Sequence, residues 1–207
     1  MSLFIHIIGV LATVLLIFYV AVLILARVLR LKQSNSNIAM PVLIPIPIPT
    51  KDQPNSIYKL VAFVTLLRRW KLAEHWEYTL ENGVTIVIPR DFDFDGASIP
   101  KPFWALLSPT GLLFIPGLIH DYAYKYDQLW QRNTDGSVSE YQKGAGKEYW
   151  DELFKTVGNN VNQVWLVNQI AKLAVAFGGG STWNNYRNEN AIADKPVIPP
   201  GEEHDTR

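Results

Sequence analysis

The sequence predicts an α+β protein with an N-terminal transmembrane helix, an extended proline-rich linker, and a small domain in which a β-hairpin packs with about three helices. Three observations support this fold class. A long apolar run opens the chain, strand-like alternation surrounds an Asn-Gly pair, and three later segments have apolar residues at helical spacing. We therefore expect four regions, with boundaries at 1–32, 33–57, 58–190 and 191–207.

The first region is predicted to anchor the chain in a membrane. Leu3–Ala26 contains 24 residues with no Asp, Glu, Lys or Arg, and a bilayer-spanning helix needs about 20 apolar residues. Basic residues follow this run and none precedes it, with Arg27, Arg30 and Lys32 as the flank. The positive-inside rule then predicts a single-pass protein with its N-terminus outside and its domain on the cytoplasmic side of a host or virion membrane.

The second region is predicted to be a linker. Residues 33–57 contain a polar stretch and then PVLIPIPIP, in which proline alternates with aliphatic residues and favours an extended rod. Proline cannot donate a backbone hydrogen bond, so this rod should not enter the middle of a sheet. The last region, 191–207, is proline-rich and charged, which is typical of a disordered tail.

Within the domain, a hairpin and three helices are predicted. Trp76, Tyr78 and Leu80 alternate with polar residues, Asn82-Gly83 follows, and a β-branched run then leads to Pro89. Helices are predicted for 115–127, 147–157 and 163–177, the first entered at Pro116. The polar stretch NTDGSVSEYQKGAG between the first two is predicted to be a loop.

Composition excludes some functions. The 19 basic residues balance the 19 acidic ones, which argues against a nucleic-acid partner, because such binding depends on a basic face. The chain has no cysteine, which excludes disulfides and thiolate metal sites. Sequence signatures of zinc proteases, serine-hydrolase elbows and phosphate-binding loops are also absent from the sequence.

The stretch from Phe92 to Asp127 contains the residues with chemical potential. Asp95 and Gly96 form an acidic turn, and His120 and Asp121 are adjacent on the predicted helix, so they point about 100° apart. Asp121 and Asp95, with backbone carbonyls near Gly96 and Ala97, would supply the oxygen ligands that Ca²⁺ prefers.

In the same scheme, His120 would be the general base that takes a proton from water. Asp151 would hold the other imidazole nitrogen and so fix its tautomer. The structural alternative is that Asp95 closes a turn, and that His120 and Asp121 are buried polar groups satisfied by the hairpin and by Ser98.

Two resemblances bear on this region. The run FDFDGASIPKPFW, followed by HDYAY, the helix with Asp151, and AVAFGGGSTW, resembles a family of phage and prophage proteins of unknown function. The resemblance covers roughly Trp70 to Trp183. It implies a viral or prophage origin and assigns no activity.

The second resemblance is to the prokaryotic secreted phospholipase A2 pattern, carried by Asp95-Gly96-Ala97-Ser98 and by His120-Asp121-x-x-Tyr124. It implies His120 as the base, oriented by Asp151, and calcium held by Asp121 and Asp95. The sequence departs from that pattern in lacking its cysteines, in a longer loop before Asp151, and in the added hairpin.

Two functions are consistent with these features. The first is a calcium-dependent hydrolase that acts on lipid esters at a membrane. The second is a non-enzymatic structural or interaction protein whose partner is a virion or host-membrane protein.

Overall fold

The structure is a computed structural model that describes residues 2–29, 38–65, 69–94 and 111–188, with side chains left undescribed at 2–8, 11–12 and 63–65. Contacts divide the chain into two compact units, Met1–Ile38 and Ala39–Arg207. The predicted tail at 191–207 lies outside the described residues, as does part of the predicted linker.

The N-terminal unit contains helix α1, Ser2–Val28. Among the residues that the structure describes, no helix has the length and apolar character needed to cross a membrane. This finding contradicts the predicted transmembrane anchor, the single-pass topology and the localisation inferred from them.

The second unit is α+β and contains two antiparallel sheets. The first sheet has the order β1-β2-β5, formed by Leu43–Ile46, Arg69–Leu72 and Asp93–Phe94. Strand β1 falls within the predicted linker and occupies an edge of the sheet, pairing Leu43 with Leu72. An edge is where a strand that contains Pro45 is tolerated, because one side of it needs no ladder hydrogen bonds.

The second sheet has the order β3-β4-β6-β7 and begins with the hairpin expected from the sequence. Strands β3 (Trp76–Thr79) and β4 (Thr85–Ile88) pair in register, and Gly83 has a φ of 81° in the turn. The backbone N–H of Val84 donates to Asn82 Oδ1 at 3.1 Å. The predicted hairpin is therefore confirmed.

A second hairpin pairs β6 (Leu129–Arg132) with β7 (Val138–Tyr141), and β7 lies within residues 133–146, for which the sequence predicted a loop. That prediction was wrong because these strands bury few residues. Leu129 and Tyr141 are buried, whereas the turn between the strands is polar and exposed. These strands form because β6 pairs with β4, a contact that the hydrophobic pattern of the segment does not indicate.

Five helices complete the described part of the second unit. Helix α2, Ser56–Thr65, is capped by Asn55, whose Oδ1 accepts from the backbone N–H groups of Ile57 and Tyr58. The others are α3 (Phe114–Tyr126), α4 (Lys147–Asn162), α5 (Trp165–Gly178) and α6 (Gly180–Asn188). The three predicted helices correspond to α3, α4 and α5, and the sequence did not predict α2 or α6.

Helix α3 is the central element, since 11 of its 13 residues are buried. One side packs on α4, and another meets the sheets through Phe92 and Tyr122, whose ring centroids are 4.9 Å apart. A helix enclosed on all sides must satisfy its polar side chains internally. This requirement applies directly to His120 and Tyr124.

Asp127 fixes the start of α4 against the end of α3. It ends α3 in a left-handed conformation with φ 51°, which Asp tolerates better than most residues. Its Oδ1 accepts from the Gly146 backbone N–H at 3.0 Å and from Trp150 Nε1 at 2.7 Å. These bonds bring the first turns of α4 beside α3, where Asp151 lies.

Candidate functional site

The structure brings His120 and Asp151 together. His120 Nε2 lies 3.0 Å from Asp151 Oδ1, although 31 positions separate the two residues in the chain. His120 is in the middle of α3, Asp151 is in the second turn of α4, and their side chains are 7% and 4% exposed. The pair therefore lies in the interior between two helices.

Two further donors reach the same carboxylate. Tyr124 Oη donates to Asp151 Oδ1 at 2.9 Å, and Lys147 Nζ donates to Oδ2 at 2.6 Å. Both carboxylate oxygens are thus hydrogen-bonded, and the Lys147 ammonium balances the negative charge. We call these four residues, His120, Tyr124, Lys147 and Asp151, the polar cluster.

Lys147 extends the polar cluster to α5. Its Nζ also donates to the backbone carbonyl oxygen of Ala176 at 2.9 Å and lies 3.5 Å from that of Val175. These carbonyls are in the last turn of α5, where the helix dipole places partial negative charge. A single ammonium therefore bonds to a buried carboxylate and to the C-terminal end of a neighbouring helix.

The protonation states of the pair follow from its surroundings. Burial lowers the pKa of His120, and the hydrogen bond and charge of Asp151 oppose that effect only in part. The pKa of Asp151 is also lowered, because its bonds to His120, Lys147 and Tyr124 outweigh burial, which acts in the opposite direction. Near neutral pH the carboxylate is ionised and accepts hydrogen bonds only, so the neutral imidazole carries its proton on Nε2.

Aromatic rings enclose the imidazole. The ring of Tyr124 lies 4.0 Å from that of His120, and the ring of Phe154 lies 5.3 Å away, measured between centroids. Tyr124 in turn contacts Trp183 of α6, and the Arg187 guanidinium stacks 3.4 Å over the Trp183 ring. Helices α3, α4, α5 and α6 therefore all meet around the polar cluster.

The predicted calcium ligands are largely outside the described part of the chain. Asp95, Gly96 and Ala97 fall in 95–110, of which nothing is described, and only Asp121 can be placed, half-buried on α3. Among the described residues no three His, Cys, Asp or Glu side chains form a group that could hold a metal ion. Calcium binding therefore stays a prediction.

Sequence reasoning missed two members of the polar cluster. The sequence places Tyr124 only in a motif and Lys147 only at the first position of a predicted helix. The signal that could have found them is spacing, because His120 and Tyr124 are four residues apart on α3, as are Lys147 and Asp151 on α4. Residues at this spacing lie on the same helix face.

The cluster has two chemical capabilities. With Nε2 protonated and bonded to Asp151, the imidazole has its lone pair on Nδ1, which is the arrangement of a general base. The same four groups also form a closed set of charge-assisted hydrogen bonds that joins α3, α4 and α5.

The chain has no match among curated proteins and none among solved structures. The phage or prophage origin and the similarity to phospholipase A2 therefore stay predictions. The expected resemblance to a family of unknown function is supported at a coarser level. The model of the family described as Protein of unknown function (DUF1353) matches residues 70–159, from within β2 to within α4.

Proposed function

We propose that this chain is a non-enzymatic structural or interaction protein, and that the polar cluster is a structural hydrogen-bond network that holds α3, α4 and α5 together. One observation carries the proposal. The Asp151 carboxylate accepts hydrogen bonds from three different side chains in an interior position. A buried charge held in this way is costly to disturb, which favours a fixed helix arrangement over a site that must admit a substrate.

Lys147 weakens the alternative of strong base catalysis. A carboxylate that orients a catalytic histidine normally stabilises the imidazolium formed when the base takes a proton. Here the Lys147 ammonium already neutralises Asp151, and its charge helps to lower the pKa of His120. A base whose pKa is lowered takes a proton less readily in the transition state.

The test uses the full chain with two variants of the cluster, His120→Ala and Lys147→Met. If the cluster has this structural role, both substitutions lower the midpoint of thermal unfolding, and neither the wild type nor the variants release fatty acid from phospholipid vesicles. Release by the wild type that is lost in His120→Ala, with an unchanged melting midpoint, would overturn the proposal.

A second candidate is an ester hydrolase, favoured by the His120 Nε2–Asp151 bond, which leaves Nδ1 with the lone pair. His120 Nδ1 would take a proton from water while the hydroxide oxygen adds to the ester carbonyl. The proton would then pass to the departing alkoxide, giving an acid and an alcohol. The expected dependence on calcium, through Asp95, Gly96, Ala97 and Asp121, belongs to this candidate.

Calcium separates the two candidates without an activity assay. A ligand at 100 times its dissociation constant stabilises the folded state by about 2.7 kcal/mol. The hydrolase candidate predicts a higher melting midpoint in calcium than in chelator, and loss of this shift in Asp121→Asn. The structural proposal predicts equal melting midpoints in calcium and in chelator.

A further inference from the structure

Helix α5 has two apolar faces, and one of them has no partner within the described chain. The inner face carries Ala171, with Val167 and Val175 beside it, and packs on Leu113 and Phe154. The outer face carries four large apolar side chains that are 54% to 87% exposed: Leu166, Ile170, Leu173 and Phe177. We call these four residues the outer stripe.

The outer stripe is continuous. Its members are separated by four, three and four positions, and at 3.6 residues per turn they fall within a sector of about 60°. This spacing is that of the seam of a helix pair, in which side chains of one helix fit between those of the other. The stripe therefore has the geometry of a helix-packing surface.

The stripe has nearly the area that a stable interface needs. Taking about 200 Å² for a fully exposed large apolar side chain, the stripe and the adjoining Trp165 present on the order of 650 Å². A standard protein interface buries about 800 Å² on each partner. A patch of several hundred Å² is large for a surface without a partner.

The charges near α5 permit association of like with like. Lys172 is the single charged residue of α5, and it is paired with Glu152 of α4 in the same chain. The formal net charge of the chain is zero. Two copies that meet at α5 would therefore neither repel each other nor require a charged partner.

The spacing also fits a second copy of this chain as the partner. The separations of four, three and four positions are the same in both chain directions. An antiparallel copy of α5 therefore places Leu166 opposite Phe177 of the partner subunit and Ile170 opposite Leu173 of the partner subunit. A two-fold interface requires this self-complementarity. We infer that the outer stripe is the interface of a homodimer in which two α5 helices pack antiparallel. This inference rests on the proposed interaction function and names its partner as a second copy of this chain.

The first test measures the mass of the full chain in solution by sedimentation, at a concentration on the order of 50 μM, where interfaces of this size can associate. We expect a dimer in the wild type, and in Leu173→Glu and Phe177→Glu a dissociation constant about 100-fold or more higher, since each substitution occurs twice per dimer. Ile57→Glu is the matched control, because Ile57 is 73% exposed on α2 and should leave the dimer unchanged.

The second test uses cysteine cross-linking, for which the chain has no background because it contains no cysteine. A mixture of Ile170→Cys and Leu173→Cys chains should form a disulfide-linked dimer faster than either variant alone. Faster self-linking of the single variants would overturn the antiparallel arrangement. Association through α1 would be equal in all these variants and so cannot imitate the result.

Several outcomes would overturn the inference. These are a monomeric wild type, a dimer that Leu173→Glu does not weaken, or a stripe occupied by another segment of the same chain and therefore protected in a monomer. None of them affects the thermal and vesicle tests of the polar cluster. Failure of the dimer and failure of the proposed function are thus distinguishable.

Discussion

The polar cluster and the outer stripe of α5 reverse the usual distribution of side chains. One places a carboxylate, an imidazole and a phenol in the interior beside a partly buried ammonium, and the other places four large apolar side chains in solvent. The two regions differ in whether their side chains have partners within the described chain. The Asp151 carboxylate is fully hydrogen-bonded, which indicates a role in fold stability. The stripe has no partner in the described chain, which indicates a role in association.

The largest effect is expected from removing the carboxylate. Asp151→Ala leaves Lys147 without its buried counter-charge and should lower the free energy of unfolding by about 3 kcal/mol or more. Glu152→Ala on the same helix is the control, because Glu152 is 47% exposed and bonded to lysines near the surface. Its cost should be about 0–1 kcal/mol. Urea unfolding measures both, and equal costs would remove the distinction between the two regions.

Gly179 tests how tightly the cluster is enclosed. A Cβ added there would lie 2.5 Å from the Val175 carbonyl oxygen and 2.7 Å from Tyr124 Oη, so Gly179→Ala should cost about 1–3 kcal/mol. Gly178 and Gly180 are matched controls, because a Cβ at either position meets nothing within 4 Å. Alanine there should be neutral or slightly stabilising. If urea unfolding gives Gly179→Ala the same free energy of unfolding as the two controls, the groups around Gly179 can move to make room for a methyl group.

Stability should depend on pH through His120. Because burial lowers its pKa in the folded protein, the unfolded chain binds more protons between that lowered pKa and about 6.5. The free energy of unfolding should therefore decrease as pH falls below about 6.5, by at most ~1.4 kcal/mol per pH unit. Ionised Asp151 adds a further loss only below about pH 3.9, since its folded pKa is lowered as well.

Urea midpoints measured from pH 7.5 down to 5, roughly one unit on either side of the unperturbed His pKa, give this dependence. His120→Asn supplies the comparison, since it removes the imidazole while the other histidines remain. The variant should lose most of the slope. A slope identical to that of the wild type would show that His120 takes up protons as freely when folded as when unfolded.

The smallest effect is expected on the outer stripe. Phe177 is 87% exposed, so Phe177→Gln should change the free energy of unfolding of the monomer by no more than about 0.5 kcal/mol. Tryptophan fluorescence at nanomolar protein concentration measures this where a weak dimer is dissociated. A large loss would mean that Phe177 packs within its own chain, and the contrast with the polar cluster would disappear.

Elements specified by local sequence were predictable. The hairpin formed around Asn82-Gly83 because that pair suits a tight turn and the flanking residues alternate. Helices α3, α4 and α5 followed the apolar period, with ends within a few residues of the prediction except at the longer C-terminus of α4. Hairpin β6–β7 was missed because its order comes from pairing with β4, which lies far away in sequence.

The site was predictable only in part. The proximity of His120 and Asp151 was anticipated by the general-base scheme and by a resemblance, whereas the hydrogen bonds of Tyr124 and Lys147 to Asp151 were not. No local rule states that an ammonium from the first turn of α4 will reach both the carboxylate and the end of α5, because that depends on how three helices cross. The predicted transmembrane anchor was contradicted, since an apolar run alone does not establish a membrane span.

The sequence by itself determined which residues are available and which local elements they form: a glycine turn, three periodic helices, a neutral charge balance and no cysteine. Only the tertiary structure decided that Asp151 is saturated with donors and that the outer face of α5 is left uncovered. The physical reason is that periodicity acts over a few residues. Hydrogen-bond satisfaction and solvent exposure depend instead on contacts between segments distant in the chain.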